Sequence, residues 1–189
     1  GYGDDPAEAA RAIRAAAAAG AVGGSIEDRR SDGTLLPLDL SIERVRAAVD
    51  AARALPHDFV VTARCEELLG TARTVALATA IARLQAYQEA GADVLYAPGL
   101  SSAAQIRAVV AAVDRPVNVV MGLGGSTLSV AELGELGVRR ISVGSALARL
   151  AYGALIRSSE EIAGPGTFTF AAEAVPYATL QQLLTGGRS

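Results

Sequence analysis

The stretch GGSIEDRRSDG, Gly23 to Gly33, decides how this chain is read. An apolar run of strand character ends in two adjacent carboxylates, two arginines and a turn. A carboxylate at the end of a covered strand costs several kcal/mol to desolvate unless something cationic meets it, so the pair either marks a site or faces water. Side chains alternate along a strand, and Glu27 and Asp28 therefore point to opposite faces. Glu27 shares its face with Gly23 and Ser25, small residues that leave room for a ligand. Asp28 shares its face with Gly24 and Ile26 and leans towards a helix layer. Glu27 is the better ligand candidate; the plainer alternative, which the sequence leaves open, is a salt bridge from either carboxylate to Arg29, Arg30 or Arg64.

Outward from this stretch, apolar β-rich runs alternate with Ala/Leu/Arg-rich helical patterns every 25 to 35 residues or so, the spacing of successive βα units in a parallel sheet. About five units are legible. Strands are predicted at Val22–Ile26, Phe59–Cys65, Asp93–Tyr96, Val117–Met121 and Arg140–Val143. Helices are predicted near Pro6–Ala19, Ile42–Ala54, Thr74–Ala90, Ala103–Ala112, Val130–Leu136 and Ser145–Ile162. In DDPAE, Asp5 can cap a helix that starts at Pro6, with Glu8 completing a capping box. EAGAD and ELGVRR place Gly where a helix must stop before the next strand. The opposite turns carry IEDRRSDG, ARCEELLG, APGLSS, MGLGGSTLS and VGSA. Polar chemistry thus gathers at the strands' C-terminal ends, where both barrels and open α/β sheets bind ligands. The small residues Gly23, Ser25, Thr62, Ala63 and Ser142 suit a barrel interior, so the expected fold is the last five or so units of a (β/α)8 TIM barrel rather than an open doubly wound sheet. Residues 1–163 form that single barrel domain. Residues 164–189 form a tail, with YATLQQLL as a short amphipathic helix packing on the barrel or a partner subunit.

Composition narrows the function classes. The chain has 189 residues, 51% of them apolar, which is ample for one buried core. No apolar stretch approaches the roughly 18 to 20 residues of a membrane span and no basic-then-apolar leader opens the chain, so a cytoplasmic protein is expected. Net charge is −3, and the 17 basic residues, all of them Arg, are scattered instead of clustered; nothing resembles a nucleic-acid footprint. A single cysteine excludes an intrachain disulfide and a cysteine-cluster metal site. The chain opens on Gly within what reads as a motif, and a preceding segment is expected.

On the second strand, VVTARCEELLG places Thr62, Arg64 and Glu66 on one face. An arginine at a strand's C-terminal end beside a carboxylate suits bidentate capture of an anion; it also suits an ion pair with Glu27 or Glu66, and the two readings are compatible. Cys65, facing away, reads as a small core residue. His57 precedes a strand and lies at the end opposite the ligand-binding loops. MGLGGSTLS could receive an anion on its backbone amides, although it lacks dinucleotide spacing and a P-loop lysine. Asn118 either projects into the barrel or is buried and satisfied by neighbouring backbone.

Taken together, GYGDDPAEAARAIRAAAAAGAVGGSIED, LLPLDLSIERVRAAVDAARAL, DFVVTARCEELLG, AIARLQAYQEAGADVLYAPG, RPVNVVMG and ELGVRRISVGSAL resemble the isocitrate lyase/phosphoenolpyruvate mutase superfamily over nearly the whole chain, in order and spacing. The resemblance implies a βα barrel that binds Mg2+, with Mn2+ as a substitute, and makes or breaks C–C or P–C bonds next to the carbonyl of small 2-oxo acids. It implies that Glu27 holds the metal through water, that Arg64 grips the substrate's anionic group, and that the other metal carboxylates lie in a D-x-D pattern before Gly1, on a part of the barrel that would supply the first three strands. It also implies a homodimer or homotetramer that exchanges its last barrel helix between subunits.

Departures set the limits. The lyases' K-[KR]-C-G-H is replaced by RRSDGTLLP, which offers no thiol, and N-x-T-E is replaced by NVVMGLGG. Glu66 resembles the mutase and phosphonopyruvate hydrolase branch more than the lyases' aspartate. The expected activity is Mg2+-dependent C–C cleavage of a small 2-oxo acid or 2-hydroxy-tricarboxylate, with Arg64 and Glu66 catalytic, Arg64 and Asn118 binding substrate, and Glu27 on the metal. P–C phosphonomutase or phosphonopyruvate hydrolase chemistry and oxaloacetate decarboxylation are the alternatives. A catalytically idle barrel that binds a 2-oxo acid such as 2-oxoglutarate is the reading from another class.

Overall fold

The structure, a computed structural model, describes residues 3–69, 73–123 and 126–186. It divides into two compact units, one up to Gly144 and one from Ser145. The first unit runs α1 (Pro6–Ala18), β1 (Gly23–Glu27), α2 (Leu38–Arg53), β2 (Val60–Arg64), α3 (Arg73–Glu89), β3 (Val94–Tyr96), α4 (Ala103–Ala112), β4 (Val117–Val120), α5 (Val130–Glu135) and β5 (Arg140–Ser142). The second carries α6 (Ala146–Ala163), a 3-10 turn at Thr169–Glu173 and α7 (Tyr177–Leu184). No helix among the described residues is long and apolar enough to cross a membrane.

Local chemistry sets these boundaries. Asp5 caps α1 by accepting the Ala7 amide at 2.6 Å, and Glu8 reaches back to the Asp5 amide, so two otherwise orphaned donors are satisfied. After α3 the chain reverses at Gly91, whose φ of +99° a side chain would strain. Helix α2 starts four residues before the expected Ile42. Its first turn is solvent-facing and its buried face begins only at Ser41, so hydrophobic periodicity does not reach the true start.

All five strands are parallel, in the order β1-β2-β3-β4-β5. An open doubly wound sheet reverses its strand order at a switch point; this one does not, and it has the topology of a barrel arc. One face of β1 to β4 packs under the helices through Ile26, Val61, Ala63, Cys65, Leu95, Val117 and Val119, all 2% exposed or less. The helices answer with small or branched residues at helical spacing, as in Ala9, Ile13 and Ala17 of α1.

Asp28 emerges on this outer face, only 2% exposed. Its carboxylate accepts the Glu66 amide at 2.8 Å, the Tyr87 hydroxyl at 2.7 Å and Arg83 Nη1 at 3.2 Å. Arg83 also donates to the Leu36 carbonyl at 2.9 Å. Burial, then the neighbouring Asp28 charge, holds the Tyr87 hydroxyl well above its ordinary pKa, so it stays a donor.

Removing one donor leaves a buried acceptor short, whereas removing the carboxylate strands a buried guanidinium. Tyr87→Phe should therefore destabilise the full-length protein by about 1–3 kcal/mol, and Asp28→Ala by about 3–5 kcal/mol, both read from urea midpoints. Losses within ~0.5 kcal/mol, the scatter of neutral surface changes, would show that the cluster does not hold the sheet to α3.

Candidate active site

Strand register builds the site. The Cα partners Glu27↔Arg64, Arg64↔Tyr96, Tyr96↔Asn118 and Asn118↔Arg140 form one continuous lateral row. Because facing residues in paired strands share a face, all five side chains stand on the concave inner face. Arg64, Tyr96 and Arg140 line a concavity there of about 720 Å³, together with Ser25, Thr62 and Ser142.

Arg64 is the hub. Its Nη1 lies 3.0 Å from Glu27 Oε1, its Nε meets Glu66 Oε1, and its guanidinium carbon sits 5.3 Å from the centre of the Tyr96 ring. Both ion-pair alternatives read from the sequence are thus realised together. Burial alone would lower the Arg64 pKa, but the Glu66 and then the Glu27 carboxylates outweigh it and leave it raised. Glu66, 3% exposed, is raised by burial, with Arg64 as the main opposing influence. Arg29 adds a hydrogen bond to the Glu66 carbonyl at 3.3 Å and approaches its carboxylate at 3.8 Å. The Glu27 side chain is 41% exposed, so of Arg64's two acids it is the one a ligand can reach.

Asn118 is fully buried, and its partners are side chains rather than backbone. Its Nδ2 donates to Ser142 Oγ at 3.0 Å and its Oδ1 accepts Arg140 Nη1 at 3.1 Å. His57 lies between α2 and β2, away from this face, and Cys65 faces the helices, its thiol raised far above the ordinary value by burial. Two of the three glycines of MGLGGSTLS, Gly124 and Gly125, lie outside the described residues.

Sequence reasoning missed three contributors. Tyr96 and Arg140 enter the site through register, which no local pattern encodes. Arg44 enters through burial: from the covered face of α2 it donates to the Glu27 carbonyl at 2.5 Å and the Gly3 carbonyl at 2.9 Å, tying the segment before α1 to the end of β1. The signal available was an arginine in register with Ser41, Val45 and Ala48 on the apolar stripe of α2.

The loop after β1 is a closed turn. Arg29 and Leu35 pair as an antiparallel bridge, the Arg30 amide donates to the Thr34 carbonyl at 2.8 Å, and Gly33 sits at φ +86°. Asp32 accepts the Thr34 hydroxyl and amide, which hold its carboxyl below the usual pKa. Beside this turn, a rim concavity of about 530 Å³ is lined by Glu27 and Asp4 and by the guanidinium groups of Arg29 and Arg30, with Arg30 paired to Asp4 at 2.9 Å. Two hard oxygen donors at one opening fit Mg2+, which takes one or two carboxylates and completes its shell with water. Among the described residues no three acid, histidine or cysteine groups form a cage.

Residues 1–163 match the family model described as phosphoenolpyruvate phosphomutase. The crystal structure of a candidate lyase/mutase from Burkholderia cenocepacia J2315 superposes with a TM-score of 0.90 at 55% identity, covering 97% of this chain and 66% of that one. The 2-methylisocitrate lyase of Escherichia coli (strain K12) is 34% identical over 125 residues, 62% of this chain and 40% of the lyase. The oxaloacetate decarboxylase of Bradyrhizobium sp. (strain ORS 278) is 30% identical over 150 residues, 76% of this chain and 48% of the decarboxylase. The chain thus spans about half the length of these curated relatives.

The shared environment of Arg64 and Glu66 predicts a double-mutant cycle, Arg64→Ala with Glu66→Gln, that reports a coupling of about 1–3 kcal/mol in unfolding free energy. A raised folded pKa means that Glu66 binds its proton more tightly in the folded chain than in the unfolded one. Its contribution is therefore most favourable at low pH and declines as pH rises from the ordinary value of 4.5 through the raised one. The stability difference between wild type and Glu66→Gln should fall across that window; a rising difference would reverse the assignment.

Proposed function

The chain belongs to the phosphoenolpyruvate phosphomutase family, within the isocitrate lyase/phosphoenolpyruvate mutase superfamily, and from that membership we propose that it is a Mg2+-dependent lyase that cleaves a C–C bond in a small 2-oxo acid or 2-hydroxy-tricarboxylate. The observation that carries the reading is the Glu27–Arg64–Glu66 constellation on the inner face of the sheet. Superfamily relatives are lyases and mutases of small acids.

Arg64 binds the substrate carboxylate through charge-assisted hydrogen bonds, with Glu66 and the Tyr96 ring fixing the plane of its guanidinium. The incoming carboxylate takes the place of Glu27, which frees that side chain for the rim. When bound, Mg2+ would be held by Glu27, with Asp4 beside it, and would stabilise negative charge on the oxygens of an enolate-like transition state. As the C–C bond breaks, its electron pair passes into the fragment next to the carbonyl, where Arg64 faces the developing oxyanion. Asn118, fully buried between Ser142 and Arg140, contributes to substrate binding by holding that wall of the cavity in register.

A second reading has specific support in the turn at residues 29–35, which carries neither thiol nor imidazole to return a proton to a product carbanion. That favours P–C bond transfer, which returns no proton to carbon, or an idle barrel that binds a 2-oxo acid, over cleavage of a tricarboxylate; oxaloacetate decarboxylation would draw the proton for its enolate from water. We assign residues 1–163 to the barrel and 164–189 to a tail. The exposed Leu147, Leu150, Leu155, Tyr177 and Leu183 support contact with a second copy in a homodimer or homotetramer.

The full-length protein should turn over at least one of 2-methylisocitrate, oxaloacetate and phosphonopyruvate with Mg2+ and lose that activity in EDTA. Arg64→Ala should lower kcat/KM by about 30-fold or more, the effect of removing 2 kcal/mol or more of a buried charged hydrogen bond. Turnover indifferent to chelation removes the metal role; binding without turnover selects the idle barrel.

A further inference from the structure

The inner-face row ends on a second guanidinium that the reaction above does not use. Arg64 has two carboxylate partners, whereas Arg140, at the other end of the row, has an amide oxygen and, among the described residues, no carboxylate within ion-pair distance. Both line the same concavity. The amide that meets Arg140 is itself fixed: Asn118 is fully buried, and its Nδ2 hydrogen bond to Ser142 leaves Oδ1 turned to the guanidinium. Arg140 is thus held in place by a neutral group, which orients the cation without cancelling its charge.

We propose that Arg140 is a second anion-binding group of the cavity, taking the distal carboxylate or phosphonate of a two-ended anion whose other end lies on Arg64. The two residues stand three strand spacings apart, about 14 Å at the backbone, and the curvature of the arc turns both side chains inward over Tyr96 and Asn118. A planar, permanently charged fork matches a carboxylate or phosphonate in two hydrogen bonds, and the Asn118 amide oxygen holds the Arg140 fork ordered before a ligand arrives. The proposal rests on the reading of Arg64 as the anchor for the first anionic end, and it makes Arg140 the residue that separates dianions from monoanions.

The test is calorimetric binding to the full-length protein in Mg2+, with two matched pairs of 2-oxo acids: oxaloacetate against 2-oxobutyrate, and 2-oxoglutarate against 2-oxopentanoate. Members of each pair differ in a distal carboxylate. Wild type should bind the two-ended member of at least one pair about tenfold or more tightly than its mate. Arg140→Met should remove that preference while leaving the one-ended acid unchanged, and Arg140→Lys should restore part of it. Thermal melts report that each variant is folded. Arg64→Met should weaken both members. A wild type without preference or without affinity for either dianion, or an Arg140→Met that keeps the preference or weakens both members alike, overturns the assignment. An Arg64→Met that binds both normally while Arg140→Met behaves as stated leaves Arg140 in place and defeats the anchor reading instead.

Discussion

Asp28 is a carboxylate that the fold has to bury. Its neighbour Glu27 faces the cavity, and the pleat offers the next residue only the helix side. An ionised group there needs donors on several sides, and they come from separate elements: the Glu66 amide after β2, and Tyr87 and Arg83 from α3. Meeting that demand fixes the ends of β1 and β2 against one helix. The positions of Glu27, Arg64 and Glu66 follow from it. Arg44 works the same way on the other flank, holding the Glu27 carbonyl and the segment before α1 to one buried fork.

On the concave side the same two strand ends are arranged for exchange. Arg64 lies between an acid that is sealed and an acid that is open to solvent. The sealed one, Glu66, is held by Arg64 and Arg29, with its amide on Asp28, and it keeps the guanidinium oriented before any ligand arrives. The open one, Glu27, loses little when a ligand carboxylate displaces it, because water compensates the part that leaves. Orientation and availability are divided between two carboxylates, which lets a cation be both preorganised and accessible.

Much of this was legible in the residues. Strand–helix alternation could be read because each unit carries its own punctuation, from the Asp5–Glu8 cap to the glycine that ends α3. The split between Glu27 and Asp28 followed from parity alone, and Arg64 between Glu27 and Glu66 followed from adjacency. Tyr96, Asn118 and Arg140 could not be aligned in this way. Their row depends on the offset between strands some 20 or more residues apart, which is set by how the helices pack and has no local signature. Arg44 escaped notice because an arginine on a helix usually faces water, and only the packing of α1 against α2 reveals that this one does not. The early start of α2 was invisible because its first turn buries nothing.

The turn from Arg29 to Leu35 closes on itself: its stem is one antiparallel bridge, its tip is locked by Asp32 and Gly33, and beyond it Leu36 is anchored to the Asp28 backbone at 2.8 Å. Everything the sheet requires of this connection is settled at residues 28, 29, 35 and 36. The stretch between them is therefore a replaceable cassette, and a lineage could trade one reactive group for another there, or lengthen the crossing, without disturbing the scaffold that holds it.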